Sequence, residues 1–498
     1  MVLVRSISRM DRTTEGEFVP LFDLNLELNG TNFIKEEERA GKPSSLFWPW
    51  CGANISLLAL SFGAFFLGFG ISFAQASLAA LFGVVLSFLL VGVSSLAGKK
   101  SNAPTMTLSR AAFGVRGNIL PGVLSYLIFV GWETVLVSLA TLATETVLAR
   151  LGHIDLNLAR FIGFSVAVGL TVFGGVLGFH VIMKLQKWLT IITGLMTLGY
   201  IALTFKHVDW SMVSTIQSGN LQAFIGAMIF GVTGIGLGWV NSAADYSRYL
   251  PRTVSSRAVV AWTVFGSSLV PVILVVYGSL LAGSSTDLSD KIASDPIGAL
   301  TTLLPVWYLI PFAIVAVLGL IGGAILDLYS SGLALVSIGL PVRRHVAASI
   351  DAVIMLLGTI YIVWHASDFI GPFQGFLITL GVPIAVWSAI FVVDVVMRKR
   401  DYAESELFLP AGRYGSWNIR SILLVLVGSI IGWGFVTNPF ASWLAWQGYF
   451  MDAIGGKDGP WAYANVGVIF SLLVGFFGHV IFARKAIRRQ ENAPYPLS

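Results

Sequence analysis

The sequence predicts an all-α integral membrane protein with twelve transmembrane helices. Three observations carry that prediction. Apolar stretches of the length needed to cross about 30 Å of hydrocarbon recur along the chain. Of its 498 residues, 56% are hydrophobic and 11% charged, with a mean hydropathy of +0.81, whereas soluble domains carry about 25% charge. Finally, two of the apolar stretches are interrupted by glycine and polar residues at corresponding places, five spans apart.

The first 46 residues are polar and charged, without the apolar core of a signal peptide, and form a tail. Hydropathy then places spans at 47–72, 75–97, 119–149, 161–180, 188–204, 224–246, 259–281, 305–338, 348–364, 369–397, 422–436 and 462–482, followed by a second tail, 483–498. Charge sets the orientation. With the N-terminus inside, 26 of the 31 Lys and Arg lie on the inner side, and only Arg150, Arg160, Lys206, Lys291 and Lys457 lie outside. The reverse topology inverts that ratio, so both termini are expected in the cytoplasm of a multi-pass cell-membrane protein.

Span one contains Gly52, Asn54 and Ser56, then Gly63, Gly68 and Gly70. Span six contains Gly231, Gly234, Gly236 and Gly238, then Trp239 and Asn241. Glycine loosens a helix by about 1 kcal/mol relative to alanine, and irregular backbone at membrane depth is tolerated where it lines a cavity. Paired interrupted segments point to an inverted-repeat transporter with its site near the midplane. Five is an odd number, so the halves enter from opposite sides: 47–204 and 224–397 form a 5+5 inverted repeat, and 422–482 adds two extra helices. The competing explanation is that small residues simply let membrane helices pack closely.

Several function classes drop out. The single cysteine, Cys51, excludes an intramolecular disulfide or a cysteine metal cluster, and the six histidines neither cluster nor form HExxH. No phosphate-loop lysine or nucleophile–base arrangement is present, so neither an enzyme nor an ATP-driven pump is expected. The net charge of +5 is scattered over short loops rather than gathered in a stripe that would bind nucleic acid. No cofactor, metal or obligate protein partner is implied; the expected partners are the lipid bilayer and a small molecule.

The chemistry rests on a few intramembrane residues. Acids at a helix centre are costly and point to substrate or ion paths. Glu133, in span three, and Asp327, in span eight, have no Lys or Arg within their own segments. They are candidates for binding substrate and carrying a coupling proton, against the alternative of buried acids satisfied by a neighbouring helix. Asp245 with Arg248 and Asp394 with Arg398 stand at i,i+3 and i,i+4 near span ends and read as structural pairs. Glu145 lies near the outer end of span three and is expected at the interface. Trp132 and Trp239 are both central, although tryptophan favours the interfaces; a planar ligand between two indoles accounts for that placement. On a regular helix Trp239 and Asn241 point about 200° apart, so they share a site only if the backbone is unwound there.

These motifs resemble the nucleobase:cation symporter-1 transporters, particularly the cytosine/purine permeases, over about residues 33–400. The shared pieces are Arg39-x-Gly-x-Pro leading into Trp50-Cys-Gly-Ala-Asn54-Ile, Ser109-Arg-Ala-Ala-Phe-Gly-Val-Arg-Gly117, Gly131-Trp132, and Gly238-Trp239…Ala243-Ala-Asp-Tyr246…Tyr249-Leu-Pro251. The resemblance implies a leucine-transporter type fold with alternating access. It also implies a ligand ring stacked between Trp132 and Trp239, with Asn54 in the span-one region that helps form the substrate and ion sites. The family places an amide where Asp327 appears here, and a second polar residue one turn after the span-three tryptophan, where this chain has Leu136. Sodium-coupled relatives supply Ser or Thr hydroxyls on span eight just before the amide position, whereas here 318–328 has neither and Gly322-Gly323 occupies that place. The expectation is therefore a proton-coupled importer of a nucleobase, with Trp132, Glu133, Gly238, Trp239, Asn241, Asp327 and Asn54 at the site and Asp327 and Glu133 handling the proton. The alternatives are a hydantoin, allantoin, nucleoside or vitamin ring carried with sodium, or, from another class, an ion channel or receptor.

Overall fold

The computed structural model describes residues 34–493 apart from 153, 177–178, 295, 340–343, 366–369 and 440–441. Most of the expected N-terminal tail, 1–33, and the chain end, 494–498, lie outside the described residues. Those described are helical and connecting segments, with no strand among them. Among the described residues, ten helices are long and apolar enough to cross a membrane; a bent pair (Pro43–Asn54 and Leu58–Leu67) and the shorter helix Ile419–Gly434 accompany them. Together they occupy all twelve expected segments.

Boundaries move where local chemistry dictates. Span two, Phe73–Lys99, begins at a capping box in which Ser72 and Gln75 satisfy each other's backbone. Span four runs from Leu156 to Val176, earlier than expected. Span twelve, Gly467–Asn492, starts later and continues as a basic helix beyond the apolar run, because 462–466 is held in turns with Asn465 in the left-handed region (φ 50°).

Span three (Ile119–Gly152), span eight (Val306–Ser337) and span ten (Ile370–Met397) are the most enclosed, and the third and eighth pack along each other. Glycines set this closeness. A Cβ at Gly278 of span seven (Ser256–Gly283) would stand 1.9 Å from the Leu60 carbonyl oxygen, and one at Gly63 would stand 2.2 Å from the Ser279 nitrogen. No side chain larger than hydrogen fits at either position. Large apolar side chains such as Phe82, Phe173, Leu195 and Leu357 face outward, as a lipid solvent requires.

The two interrupted segments differ. Span one breaks at Ile55–Ser56 with a 67° bend. Span six, Leu221–Ser247, runs on without a bend of that kind but changes pitch. It is α-helical over Leu221–Gly231, a π turn over Val232–Gly236, a 3-10 turn over Leu237–Ser242, and α-helical again over Ala243–Ser247.

One end of the bundle is tied by charge. Arg252, just past span six, reaches Glu36 before span one and Asp401 and Glu404 after span ten, at 3.1, 2.9 and 2.8 Å. Arg39 donates to the Ser101 and Lys99 carbonyls, both at 2.8 Å, and to the Asn102 side chain. Arg110, in the loop between spans two and three, donates to the Ser337 and Leu407 carbonyls at 2.6 and 3.2 Å, and burial pushes its guanidinium down to about 10. The connections after spans two, six and ten therefore share a face, as an even number of crossings requires.

Candidate functional site

A small cavity sits where the break of span one meets spans three, six and eight. Its walls include Asn54, Phe62, Trp132, Leu136, Trp239 and Asp327, and its volume is about 50 Å3. That is room for one or two waters, below the hundreds of Å3 of ligand pockets, so a ring enters only if the walls part. Trp239 stands edge-on to Trp50, with centroids 5.9 Å apart at 88°, and Trp50 is in turn edge-on to Tyr246 at 5.2 Å. This buried T-shaped chain fixes the Trp239 indole from behind.

Four of the seven expected site residues line this cavity: Asn54, Trp132, Trp239 and Asp327. Asn54 donates its amide to the Trp50 carbonyl at 2.8 Å, and Asp327 keeps its Oδ2 buried without a hydrogen-bond partner. Gly238 stands behind the wall. A Cβ there would be 3.3 Å from Trp132 Nε1, so the glycine lets the span-three indole lie against span six. Asn241 also turns away, donating to Ser125 Oγ of span three at 2.9 Å. The expected unwinding that would bring it beside Trp239 is not what the pitch change does, because a 3-10 turn sends positions i and i+2 about 240° apart.

Glu133 is the third residue outside the cavity, and it reveals a group absent from the expected set. One position past Trp132, it points about 100° round the helix, and there its buried carboxyl, without a hydrogen-bond partner, lies within electrostatic reach of Asp351 of span nine (Arg344–Trp364) and of Tyr126 one face-repeat earlier. Asp351 accepts from Ser331 of span eight, and Asp327 lies within electrostatic reach of both acids. Glu133 and Asp351 are fully buried. The sequence held the signal for Asp351, an acid inside the 348–364 segment, the same kind that flags Glu133.

The remaining acids are structural. Asp394 receives Arg398 Nε and Nη2 at 2.6 and 3.0 Å, with His479 of span twelve at 3.4 Å. Asp245 accepts the backbone N–H and hydroxyl of Thr105, both at 2.8 Å, with the Arg248 charge nearby. Glu145, expected at the interface near the outer end of span three, forms a two-pronged pair with Arg160 at the start of span four, at 2.8 and 2.9 Å.

Beside the small cavity lies a wide vestibule of about 620 Å3, lined by Phe65, Phe69, Thr233 and the span-ten residues Gln374 and Ile378. Gly234 borders both spaces. Phe230 sits at the junction, its ring edge-on to Phe62, Phe65 and Phe66 at 5.5–6.4 Å and tilted against Phe69 at 5.9 Å.

Residues 33–452 match the family model described as permease for cytosine/purines, uracil, thiamine, allantoin. The putative purine-cytosine permease YxlA of Bacillus subtilis (strain 168) is 24% identical over 448 residues, covering 88% of this chain and 93% of the relative. The purine-cytosine permease FCY2 of Saccharomyces cerevisiae is 27% identical over 252 residues, 47% of this chain and 44% of that one. Among solved structures, Mhp1, a nucleobase-cation-symport-1 family transporter in a closed conformation with bromovinylhydantoin bound, superposes with a TM-score of 0.67 at 17% identity, over 95% of this chain and 99% of that one. A Na+-coupled sialic acid symporter in a substrate-bound outward-open state gives 0.57 at 13%, over 89% and 90%.

Proposed function

We propose a mechanism on one premise: this chain belongs to the family of permeases for cytosine/purines, uracil, thiamine and allantoin, and is a nucleobase-type transporter of the membrane, not an enzyme. We read it as a proton-coupled importer of a cytosine- or purine-like ring. The observation that carries this reading is a single cavity walled by Trp132 and Trp239 with Asp327 at its edge. Two indoles give a planar ring faces to stack on, worth about 1–3 kcal/mol per base. An aspartate and the Asn54 amide offer the edge of the ring hydrogen-bond partners. Entry runs from the vestibule past Phe230 and Phe62, which must swing aside, while the charge-tied opposite end, expected to face the cytoplasm, stays shut.

Coupling is assigned to the carboxyls behind Trp132. Glu133 and Asp351 face each other in an apolar interior, and the charged groups that reach them are other acids. Like charges that close cannot both be borne cheaply, so the pair is suited to hold a proton and release it when water reaches it. Spans three, eight and nine meet there through Tyr126, Glu133, Asp327, Ser331 and Asp351, so a change of charge acts on three helices at once. Loaded and empty states then differ in their access preferences.

A sodium reading has one observation in its favour. At the break of span one, Ser56 and the Thr193 hydroxyl, buried without a hydrogen-bond partner, line a second, smaller cavity. Against it, the Ile55 and Ala53 carbonyls there face Gly319 and Gly323 of span eight, which offer no side-chain oxygen. The test is uptake of labelled cytosine or hypoxanthine into proteoliposomes, competed by cytosine, uracil, adenine, guanine, hypoxanthine and allantoin. Saturable uptake driven by an inward proton gradient is expected, with Trp239→Ala weakening affinity about 10- to 100-fold. No competitor acting, or unchanged affinity in Trp239→Ala, ends the stacking model. Uptake tracking sodium at fixed pH overturns the proton assignment and favours Thr193.

A further inference from the structure

The strongest feature that transport leaves unused lies at the far end of the two helices outside the repeat. A concavity of about 500 Å3 opens between the loop preceding span eleven and the end of span twelve. Four of its lining side chains are cations, Arg413, Arg420, Lys485 and Arg489, and none is an acid. Arg413 is committed to Glu406 at 2.7 Å. Arg420 gives one bond, to the Phe482 carbonyl at 3.2 Å, and keeps its other donors. Lys485 and Arg489 stand one helical turn apart, and no described acid pairs with either. The first turn of span eleven opens onto the same space, and its capping residue Asn418 turns its amide away to the Ala112 carbonyl at 2.7 Å. The positive end of that helix adds to the three available cations.

The surroundings indicate what fills the space. Trp417, 55% exposed, stands at the rim where an indole marks a membrane interface. Beyond the rim, Leu423, Val427 and Ile430 on span eleven and Phe477 and Ile481 on span twelve are exposed apolar side chains. A phosphate in the concavity, with acyl chains running down the lipid-facing surface of spans eleven and twelve, joins the cations to the bilayer that the same two helices cross. We infer that this concavity binds the headgroup of one anionic glycerophospholipid. The bound lipid clamps the loop before span eleven to the end of span twelve, beside the buried Arg398–Gln490 contact (2.7 Å) that ties span ten to span twelve.

The experiment uses the full chain in neutral detergent, with native mass spectrometry and thermal melting as readouts. The probes are phosphatidylglycerol, phosphatidylcholine and millimolar inorganic phosphate. Phosphatidylglycerol is expected to be retained as a single adduct and to raise the melting temperature, while phosphatidylcholine and inorganic phosphate do neither. The double variant Lys485→Ala/Arg489→Ala should lose roughly thirtyfold in apparent affinity for phosphatidylglycerol, about fivefold per cation near a charged surface. Arg484→Ala/Arg488→Ala removes the same charge from the same helix outside the concavity and should change nothing. Equal losses in the two variants, or equal retention of phosphatidylcholine, would overturn the site. The same stabilisation by inorganic phosphate would overturn the lipid assignment and make it a soluble-anion site.

Discussion

Spans one and six occupy corresponding places in the two halves of the chain and solve the same problem differently. Span one breaks outright, bending 67° at Ile55–Ser56 and turning backbone carbonyls toward span eight. Span six keeps its course and changes pitch, so that what it contributes is side chains, Trp239 toward the cavity and Asn241 toward span three. A break presents fixed dipoles, which suit an ion or the polar edge of a ligand. A change of pitch re-aims side chains while the backbone hydrogen bonds stay largely internal, which suits an aromatic platform in a medium where unpaired N–H groups are costly.

The largest expected effect tests the span-one side. A Cβ at Gly319 would stand 2.9 Å from the Ile55 carbonyl oxygen, a backbone atom that cannot swing away. Gly319→Ala should therefore lower stability by about 1–3 kcal/mol, the range for overpacking, and depress transport with it. At Gly234 of span six the nearest atom to a new Cβ is the Phe230 ring at 3.4 Å, an ordinary contact. Gly234→Ala should melt at or slightly above the wild-type temperature, since alanine is the better helix residue. Melting in detergent, followed by tryptophan fluorescence, checks both. Equal behaviour of the two variants would mean that the break is no tighter than the wound segment.

A smaller effect tests the span-six side. Asn241→Ala removes the bond to Ser125 and should cost about 1 kcal/mol of stability, with ligand affinity unchanged. Trp239→Ala should instead weaken affinity, and it also gives up the indole's packing against Trp50. A tenfold loss of affinity in Asn241→Ala, measured by competition of uptake, would show that the amide turns to the ligand when the site opens.

The same pair of spans marks how far the sequence could be read. A helix or bent pair of helices stands in each segment that hydropathy marked, because burial in lipid is a property of composition over about twenty residues. The two tryptophans were legible for a similar reason: an indole far from the interface needs a purpose, and both line the cavity. Direction was not legible. Whether Asn241 faces ligand or helix three depends on one π turn and one 3-10 turn, and glycine content alone does not distinguish these from an opened chain. Gly238 reads as a ligand contact by its place beside Trp239, but it does not line the cavity, and a Cβ there would stand 3.3 Å from Trp132 Nε1. Asp351 shows a different limit. Its chemistry lies in a juxtaposition with Glu133 more than two hundred residues away in sequence, and only packing of spans three and nine creates it.

The smallest expected effect concerns the tie between the two segments. Arg252, past span six, holds Glu36, ahead of span one, and the pairs are partly exposed, at 31% and 61%. Exposed pairs contribute under about 1 kcal/mol and weaken with salt. Burial acts to raise the Glu36 carboxyl, but the hydrogen bond from Arg252 and the charges of Arg39 and Arg252 outweigh it and hold the group below its usual 4.5. A carboxyl lowered in the folded state stabilises above its unfolded value and loses that contribution as pH falls through the folded one. Wild type should therefore melt slightly above Arg252→Ala near neutral pH and low salt, with the gap closing as pH drops below about 4.5. A gap that stays constant into that range would shift the weight of the tie to the other bonds of Arg252, to the Lys100 carbonyl at 3.2 Å and the Asn102 side-chain oxygen at 3.1 Å, because neither acceptor titrates.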